Sequence, residues 1–326
     1  MSVTTKTLTM LAASQSPAVG GVETHLSQVT EIFRNWGWQV EVLTPPTARP
    51  SGKIGLIWLW IWVLKNRRVF LAADIIQIHD VFLWFWPLWP LVKIQQFFTG
   101  RPVKIVTTFH GWEGTFPPTT WQRFNKWLAQ AASTATVAVG DFIEKFYPIK
   151  PSLVVYGGVA KVEPIMTKKT SSTWIYLGRL ANDTGLPMLL ESVNPKVNQL
   201  EFWGDGPLIK KCQKLGLTRG WVNQPLRELS LLPVQPQGVI AGGYLAVLEA
   251  LSLGLRVMVI ADNPLKQAYY QLAPFAKYLI ITTTASEIKS GLMVPNNQTL
   301  QAQAQEIREN NTWDNLAAQY LKLYEA

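Results

Sequence analysis

The sequence predicts an α/β protein of two domains, each a parallel sheet covered by helices. Three features point there. The chain has 326 residues, long for one hydrophobic core and comfortable for two. Short apolar stretches of strand length alternate with segments of helical period in both halves, and that order needs crossover helices over parallel strands. The turns after several of these strands are led by glycine, as in nucleotide-binding α/β units.

Residues 7–12 read as the first strand, 14–21 as a Ser, Pro and Gly loop, and 22–35 as a helix with Val22, Leu26, Val29, Ile32 and Phe33 on its apolar face. Gly20 and Gly21 open that helix. Residues 39–43 follow as a strand, 44–50 as a Pro-rich loop and 54–66 as a helix. Residues 74–79 form a buried strand ending in His79-Asp80, and a helix within 82–97 is interrupted by Pro87 and Pro90. Strand 103–108 leads to His110-Gly111. Ligands of open parallel sheets bind outside the carboxyl ends of strands, so His110 is placed for chemistry as well as for capping a strand end. Residues 119–132 read as a helix, 135–139 as a strand, 141–146 as a short helix and 152–155 as the last strand of this half. The second half restarts with strand 173–177, then Gly178-Arg179-Leu180 and a loop to Gly185; residues 200–203 precede Gly204-Asp205-Gly206-Pro207. Residues 256–261 are a buried strand, 265–272 a helix, 278–281 an edge strand, 285–293 and 299–308 helices, and 313–324 an amphipathic terminal helix.

The most informative stretch is 241–254, AGGYLAVLEALSLG. Gly242 and Gly243 precede a strong helix former, so backbone N–H groups at the helix start favour an anion. Glu249 lies about a turn and a half in, among apolar neighbours. On spacing alone it suits a buried carboxylate that pairs with an Arg or caps a backbone group as well as one gripping ligand hydroxyls.

This stretch resembles the nucleotide-sugar signature of family-4-type glycosyltransferases, and the motifs around it occur in the family's order. The resemblance implies a GT-B fold, two Rossmann-like domains with parallel sheets facing an interdomain cleft. It implies an acceptor domain over 1–160 with a glycine hinge at 156–159, a donor domain over 161–310, and a helix over 311–326 returning to the first domain. By the same resemblance Glu249 binds the ribose, and Gly242, Gly243 and Tyr244 form the helix start that holds the diphosphate. Gly178 and Arg179 clamp it, Gly204 and Asp205 border the nucleotide, Gly20 and Gly21 lie near donor phosphate and acceptor, and His110 contacts the donor sugar. Trp112 and Glu113 are expected at the acceptor wall. His110 and Arg179 are the expected catalytic residues. Two positions depart from the family: Ala241 stands where a sugar-contacting Glu is usual, and Thr184 where a Lys is usual; Thr184 is expected to hydrogen-bond phosphate without adding charge.

The expected activity is therefore sugar transfer from a nucleoside-diphosphate sugar to a glycan or lipid-linked acceptor, with retention of configuration and no cofactor or metal. The alternative is a nucleotide-sugar-binding partner subunit that no longer transfers. A net charge of +9 suits an anionic partner. No nucleic-acid module is present. The single Cys212 excludes an internal disulfide and fits a cytosolic protein, and His25, His79 and His110 lack metal-site spacing. Apolar runs 54–64 and 81–92 are too short to span a bilayer, which takes roughly 20 residues. Trp58, Trp60 and Trp62, bracketed by Lys53, Lys65, Arg67 and Arg68, suit peripheral attachment to an anionic membrane face.

Overall fold

The computed structural model describes residues 6–15, 20–111, 114–162, 169–294 and 300–326. Trp112 and Glu113 lie outside the described residues. The chain divides into two compact units, Met1–Val155 with Trp313–Ala326, and Tyr156–Thr312.

In the first unit β1 (Thr7–Leu11), α1 (Gly21–Asn35), β2 (Gln39–Leu43), α2 (Gly52–Lys65), α3 (Arg67–Ala72) and β3 (Ile75–His79) are followed by α4 (Phe82–Phe85), α5 (Trp89–Thr99) and β4 (Lys104–Phe109). Then come α6 (Thr120–Ala132), β5 (Ala135–Val139), α7 (Phe142–Phe146) and β6 (Leu153–Val155). All pairings are parallel, in the order β2-β1-β3-β4-β5-β6. Every residue of β3 is buried, as a strand covered on both faces requires. The interruption expected within 82–97 separates α4 from α5 at residues 86–88, which include Pro87. Pro90 takes the first turn of α5, where its missing N–H costs nothing.

The second unit repeats the plan. It runs β7 (Thr173–Leu177), α8 (Leu186–Ser192), β8 (Gln199–Trp203), α9 (Ile209–Cys212), β9 (Leu217–Gly220), α10 (Pro225–Ser230) and β10 (Gly238–Ala241). α11 (Tyr244–Ser252), β11 (Val257–Ile260), α12 (Pro264–Gln271), β12 (Leu279–Thr282), α13 (Ala285–Met293) and α14 (Gln301–Asn310) complete it. The sheet order is β12-β11-β10-β7-β8-β9. Trp174 and Tyr176 of β7, Phe202 of β8, Ile240 of β10 and Met258 of β11 pack into one buried cluster with Leu186, Leu189 and Ile288 of the covering helices. α3, α8, α9, β9, α10 and β10 fall outside what periodicity predicts; they are short, four to seven residues of pattern being too few to distinguish from loop.

The terminal helix α15 (Trp313–Glu325) packs on α1 in the first unit. Its seat is polar as well as apolar. The Tyr324 hydroxyl donates to Gln77 Oε1, Gln77 Nε2 donates to Thr108 Oγ1 at 2.9 Å, and the Tyr320 hydroxyl lies 3.1 Å from His25 Nε2. Gln77 and Tyr320 are fully buried, so these groups need one another. His25 thus lies on the inward face of α1, buried.

At the carboxyl ends of β7, β8 and β10 the chain turns on glycine because backbones touch. A Cβ on Gly178 would lie 3.1 Å from Gly242 Cα, and one on Gly242 would lie 3.3 Å from Gly178 Cα. A Cβ on Gly204 would fall inside the contact radius of the Gly178 carbonyl oxygen. Gly204→Ala is expected to cost about 2 kcal/mol or more, since two rigid backbones would have to part. Thermal denaturation checks this: a melting temperature lowered by several degrees is the expected result, and an unchanged one contradicts the packing.

Candidate functional site

The strand order of the second sheet reverses between β7 and β10. Such a switch point leaves a crevice beyond the strand ends, because the following loops depart in opposite directions. Gly178 and Arg179 follow β7, Gly204 and Asp205 follow β8, and Gly242 and Gly243 follow β10, so six of the expected residues converge there. The Leu180 N–H donates to the Asp205 carbonyl at 2.8 Å and ties the first two loops together. Asp205 Oδ1 accepts from the Gly206 N–H at 2.7 Å, within its own turn.

Arg179 is exposed, and its Nη2 lies 2.7 Å from Asp183 Oδ2. An exposed pair of this kind is worth about 0–1 kcal/mol, so an anion of higher charge can compete for the guanidinium. Thr184, expected at phosphate, is buried instead. Its Oγ1 lies 2.8 Å from the Tyr176 hydroxyl and donates toward the Ala181 and Arg179 carbonyls at 2.8 and 3.2 Å. The hydroxyl braces the Arg179 loop from inside. Ala241 is also buried, at the last position of β10.

A cation that sequence reading missed is Lys266 on α12. It is buried, 3.2 Å from Asp262 Oδ1. Burial draws its pKa down, while the charges of Asp262 and Asp183 oppose that and the Arg179 charge adds to it. It therefore shares the Arg179 neighbourhood. Its only sequence signal is the i,i+4 spacing from Asp262, behind Asn263, which caps α12 by accepting from the Lys266 N–H.

α11 begins at Tyr244, whose N–H donates to the Tyr269 hydroxyl at 3.0 Å; the two rings stack at 3.8 Å. Tyr244 is buried and its own hydroxyl donates to the Tyr269 carbonyl. Tyr244 thus anchors the helix start, and the next N–H groups of the first turn are those without an intrahelical acceptor. Glu249 lies half-buried on this helix. Its carboxylate has no hydrogen-bond or ionic partner among the described residues, and burial pushes its pKa up to about 8. The reading of Glu249 as one half of an internal Arg pair is thereby removed.

In the first unit the three histidines, far apart in sequence, meet. His79 Nδ1 and His110 Nε2 are 2.7 Å apart with the rings stacked at 5.0 Å, and the His25 ring stands edge-on to His110 at 4.8 Å. The His110 N–H donates to the Asp80 carboxylate at 3.0 Å. Asp80 adopts a left-handed backbone, φ 60°, and faces Lys126 Nζ at 3.7 Å. Lys126 is buried with Phe109 and Tyr147 rings each 4.9 Å from its ammonium. Burial holds all three imidazoles below their ordinary pKa, His110 down to about 3 with the Lys126 charge adding to the effect. They are neutral at physiological pH. Among the described residues no group of three or more His, Cys, Asp or Glu is arranged to hold a metal ion. Gly20 and Gly21 open α1 as expected from periodicity, but Glu23 in the first turn accepts from Ser14 and fills the space beside Gly20. That helix start already carries a carboxylate.

The comparisons with known proteins follow the same geometry. Residues 19–159 match the family model described as Glycosyltransferase Family 4. No curated protein sequence matches. Among solved structures, the lipopolysaccharide outer core galactosyltransferase WaaB in its apo form is similar at 14% identity and TM-score 0.62, covering 95% of this chain and 98% of that one. AviGT4, a glycosyltransferase involved in avilamycin A biosynthesis, is similar at 14% identity and TM-score 0.57, covering 98% and 97%. Os79 from O. sativa, in complex with UDP and deoxynivalenol-3-glucoside, is similar at 10% identity and TM-score 0.53, covering 98% and 100%. At these identities the likeness is one of fold: two parallel-sheet units of the GT-B kind.

Glu249 also gives stability a pH dependence. The folded carboxyl keeps its proton up to about pH 8, whereas an unfolded one loses it near its ordinary value of 4.5. Between these pH values the native state binds more protons, so stability falls as pH rises, by on the order of 1 kcal/mol per pH unit. Melting temperatures from pH 5 to 8.5 are expected to fall more steeply for the wild type than for Glu249→Gln. Parallel curves would contradict the raised pKa.

Proposed function

We propose that this protein is a glycosyltransferase that moves a sugar from a nucleoside-diphosphate donor, bound by the unit Tyr156–Thr312, to an acceptor held by the first unit. Transfer proceeds with retention of configuration and without a metal ion. The observation that carries this reading is the Glu249 carboxyl, unpartnered among the described residues, on the helix that leaves the glycine-lined switch point, with Arg179 exposed in the loop that follows Gly178, where Gly178 meets Gly242. A ribose offers the hydroxyl donors that such a carboxylate lacks, and a diphosphate offers the charge for which Arg179 can leave Asp183. The family match and the UDP held by Os79 support the same donor class.

In the reaction the bond from the anomeric carbon to the diphosphate oxygen breaks, and negative charge grows on the leaving group. The N–H groups of the first turn of α11 are fixed donors for that charge, and Arg179, once it has left Asp183 for the bound diphosphate, adds its own. His110, neutral, offers one nitrogen to a sugar oxygen. Ala241 and Thr184 favour a second reading, a nucleotide-sugar-binding partner without transfer, because neither gives the ligand a polar group. Product detection after incubation with nucleotide sugars and candidate glycan acceptors separates the two.

Arg179→Ala is expected to weaken binding of nucleoside diphosphates by about 1.5–3 kcal/mol, tenfold or more, while nucleoside binding changes little. Thermal shift with matched nucleosides and diphosphates measures both. Equal losses would count against a phosphate clamp.

A membrane-held acceptor belongs to this proposal. No helix among the described residues is long and apolar enough to cross a membrane. Trp58, Trp60 and Trp62 are half-buried, and Trp60 Nε1 donates to the Leu83 carbonyl, so the expected tryptophan run is not what α2 exposes. Exposed instead are Ile57 and Ile61 on α2, Phe97 and Phe98 on α5 at 84% and 79%, and Trp121 and Trp127 on α6. Lys65, Arg67 and Arg68 are exposed in the same unit. Co-sedimentation with anionic liposomes is expected, weakened by salt. Changing Lys65, Arg67 and Arg68 to Gln should remove about 1 kcal/mol per charge. Absence of sedimentation with anionic liposomes would point to a soluble acceptor, and binding unaffected by the triple change would show that these charges do not carry it.

A further inference from the structure

We propose that His79 is a positioning residue that fixes the proton of His110 on Nδ1, so that His110 presents an N–H donor and not a lone pair. This rests on the functional reading only for what that donor meets, namely an oxygen of the transferred sugar.

Both rings are neutral, for the burial reasons above, so each carries one ring N–H. Only one proton can lie between His79 Nδ1 and His110 Nε2 at 2.7 Å. If His110 Nε2 donated it, the proton of His79 would sit on Nε2. That atom is buried and has no hydrogen-bond partner among the described residues, and an orphaned buried N–H is the rarer and costlier defect. If His79 Nδ1 donates, its Nε2 keeps a lone pair instead, and His110 must hold its proton on Nδ1. His110 is half-buried where His79 is 2% exposed, so the nitrogen left over is on the ring that can meet a ligand. The surroundings prevent the pair from turning over. Asp80 holds the His110 backbone N–H, β3 and β4 are in register at His79 and Thr108, and the His25 ring closes the edge of His110 while its own Nε2 is taken by Tyr320. The hydrogen bond on one imidazole nitrogen sets what the other can do.

The test is long-range proton–nitrogen NMR of the whole protein with 15N-labelled histidine, in which three histidines give three separable patterns. His79 and His110 are both expected as Nδ1–H tautomers near neutral pH. His79→Phe keeps a ring but removes the donor, and His110 is then expected to shift to Nε2–H. His79→Asn carries an amide N–H as many bonds from Cα as Nδ1 and is expected to restore the Nδ1–H form. His110 found as Nε2–H in the wild type overturns the proposal, as does an unchanged His110 in His79→Phe. Should the Phe variant fail to fold, the wild-type and Asn spectra decide. A protein whose His110 shows the expected proton but which transfers no sugar would leave this inference standing and remove the functional reading; the opposite pair of results would do the reverse.

Discussion

Where β7 and β10 lie side by side, no side chain fits between the loops that leave them. Gly178 and Gly242 meet backbone to backbone, and Gly204 closes on the Gly178 carbonyl. Everything proposed for the second unit depends on that approach. It brings the Arg179 loop beside the start of α11, and it sets Glu249 on a helix whose neighbours supply no partner for a carboxylate. Removing a buried carboxyl from water without a partner costs free energy that folding alone does not recover. Such a group persists where a ligand supplies what the fold withholds.

The first unit solves a different problem. Two of its polar sets are satisfied from within: Gln77, Thr108, Tyr320, Tyr324 and His25 form one buried set, and Asp80, Lys126 and the His110 backbone another. The terminal helix is thereby fixed to this unit by specific hydrogen bonds as well as by area. One consequence is that His110 sits in a frame with little freedom, suited to holding a single donor in place.

The sequence made the alternation of strands and helices legible because buried parallel strands are mostly apolar, continuously so in 257–260 and broken only by Gln77 and His79 in 75–79. The glycine-led turns after β7, β8 and β10 were legible because Gly178, Gly204 and Gly242 each lie against backbone. What could not be read was anything decided by side-chain neighbours. His25, His79 and His110 are 54 and 31 positions apart along the chain, and only the β3–β4 register and the α1 packing bring them together. Thr184 looked like a phosphate contact by position, but the direction of its hydroxyl is set by Tyr176 eight residues earlier. The tryptophans of 58–62 looked like a surface feature because composition does not say which side of a helix faces the core. Lys266 left no mark beyond its spacing from Asp262.

Calorimetric titration with a nucleoside diphosphate at pH 7, in buffers of differing ionisation enthalpy, tests the central claim most directly. A carboxyl with a pKa near 8 is mostly protonated at that pH, and accepting hydrogen bonds from ribose hydroxyls favours its charged form. The account expects one-to-one binding with release of most of one proton, and no release in Glu249→Gln. Binding without proton release, or no binding by any nucleoside diphosphate, would contradict it.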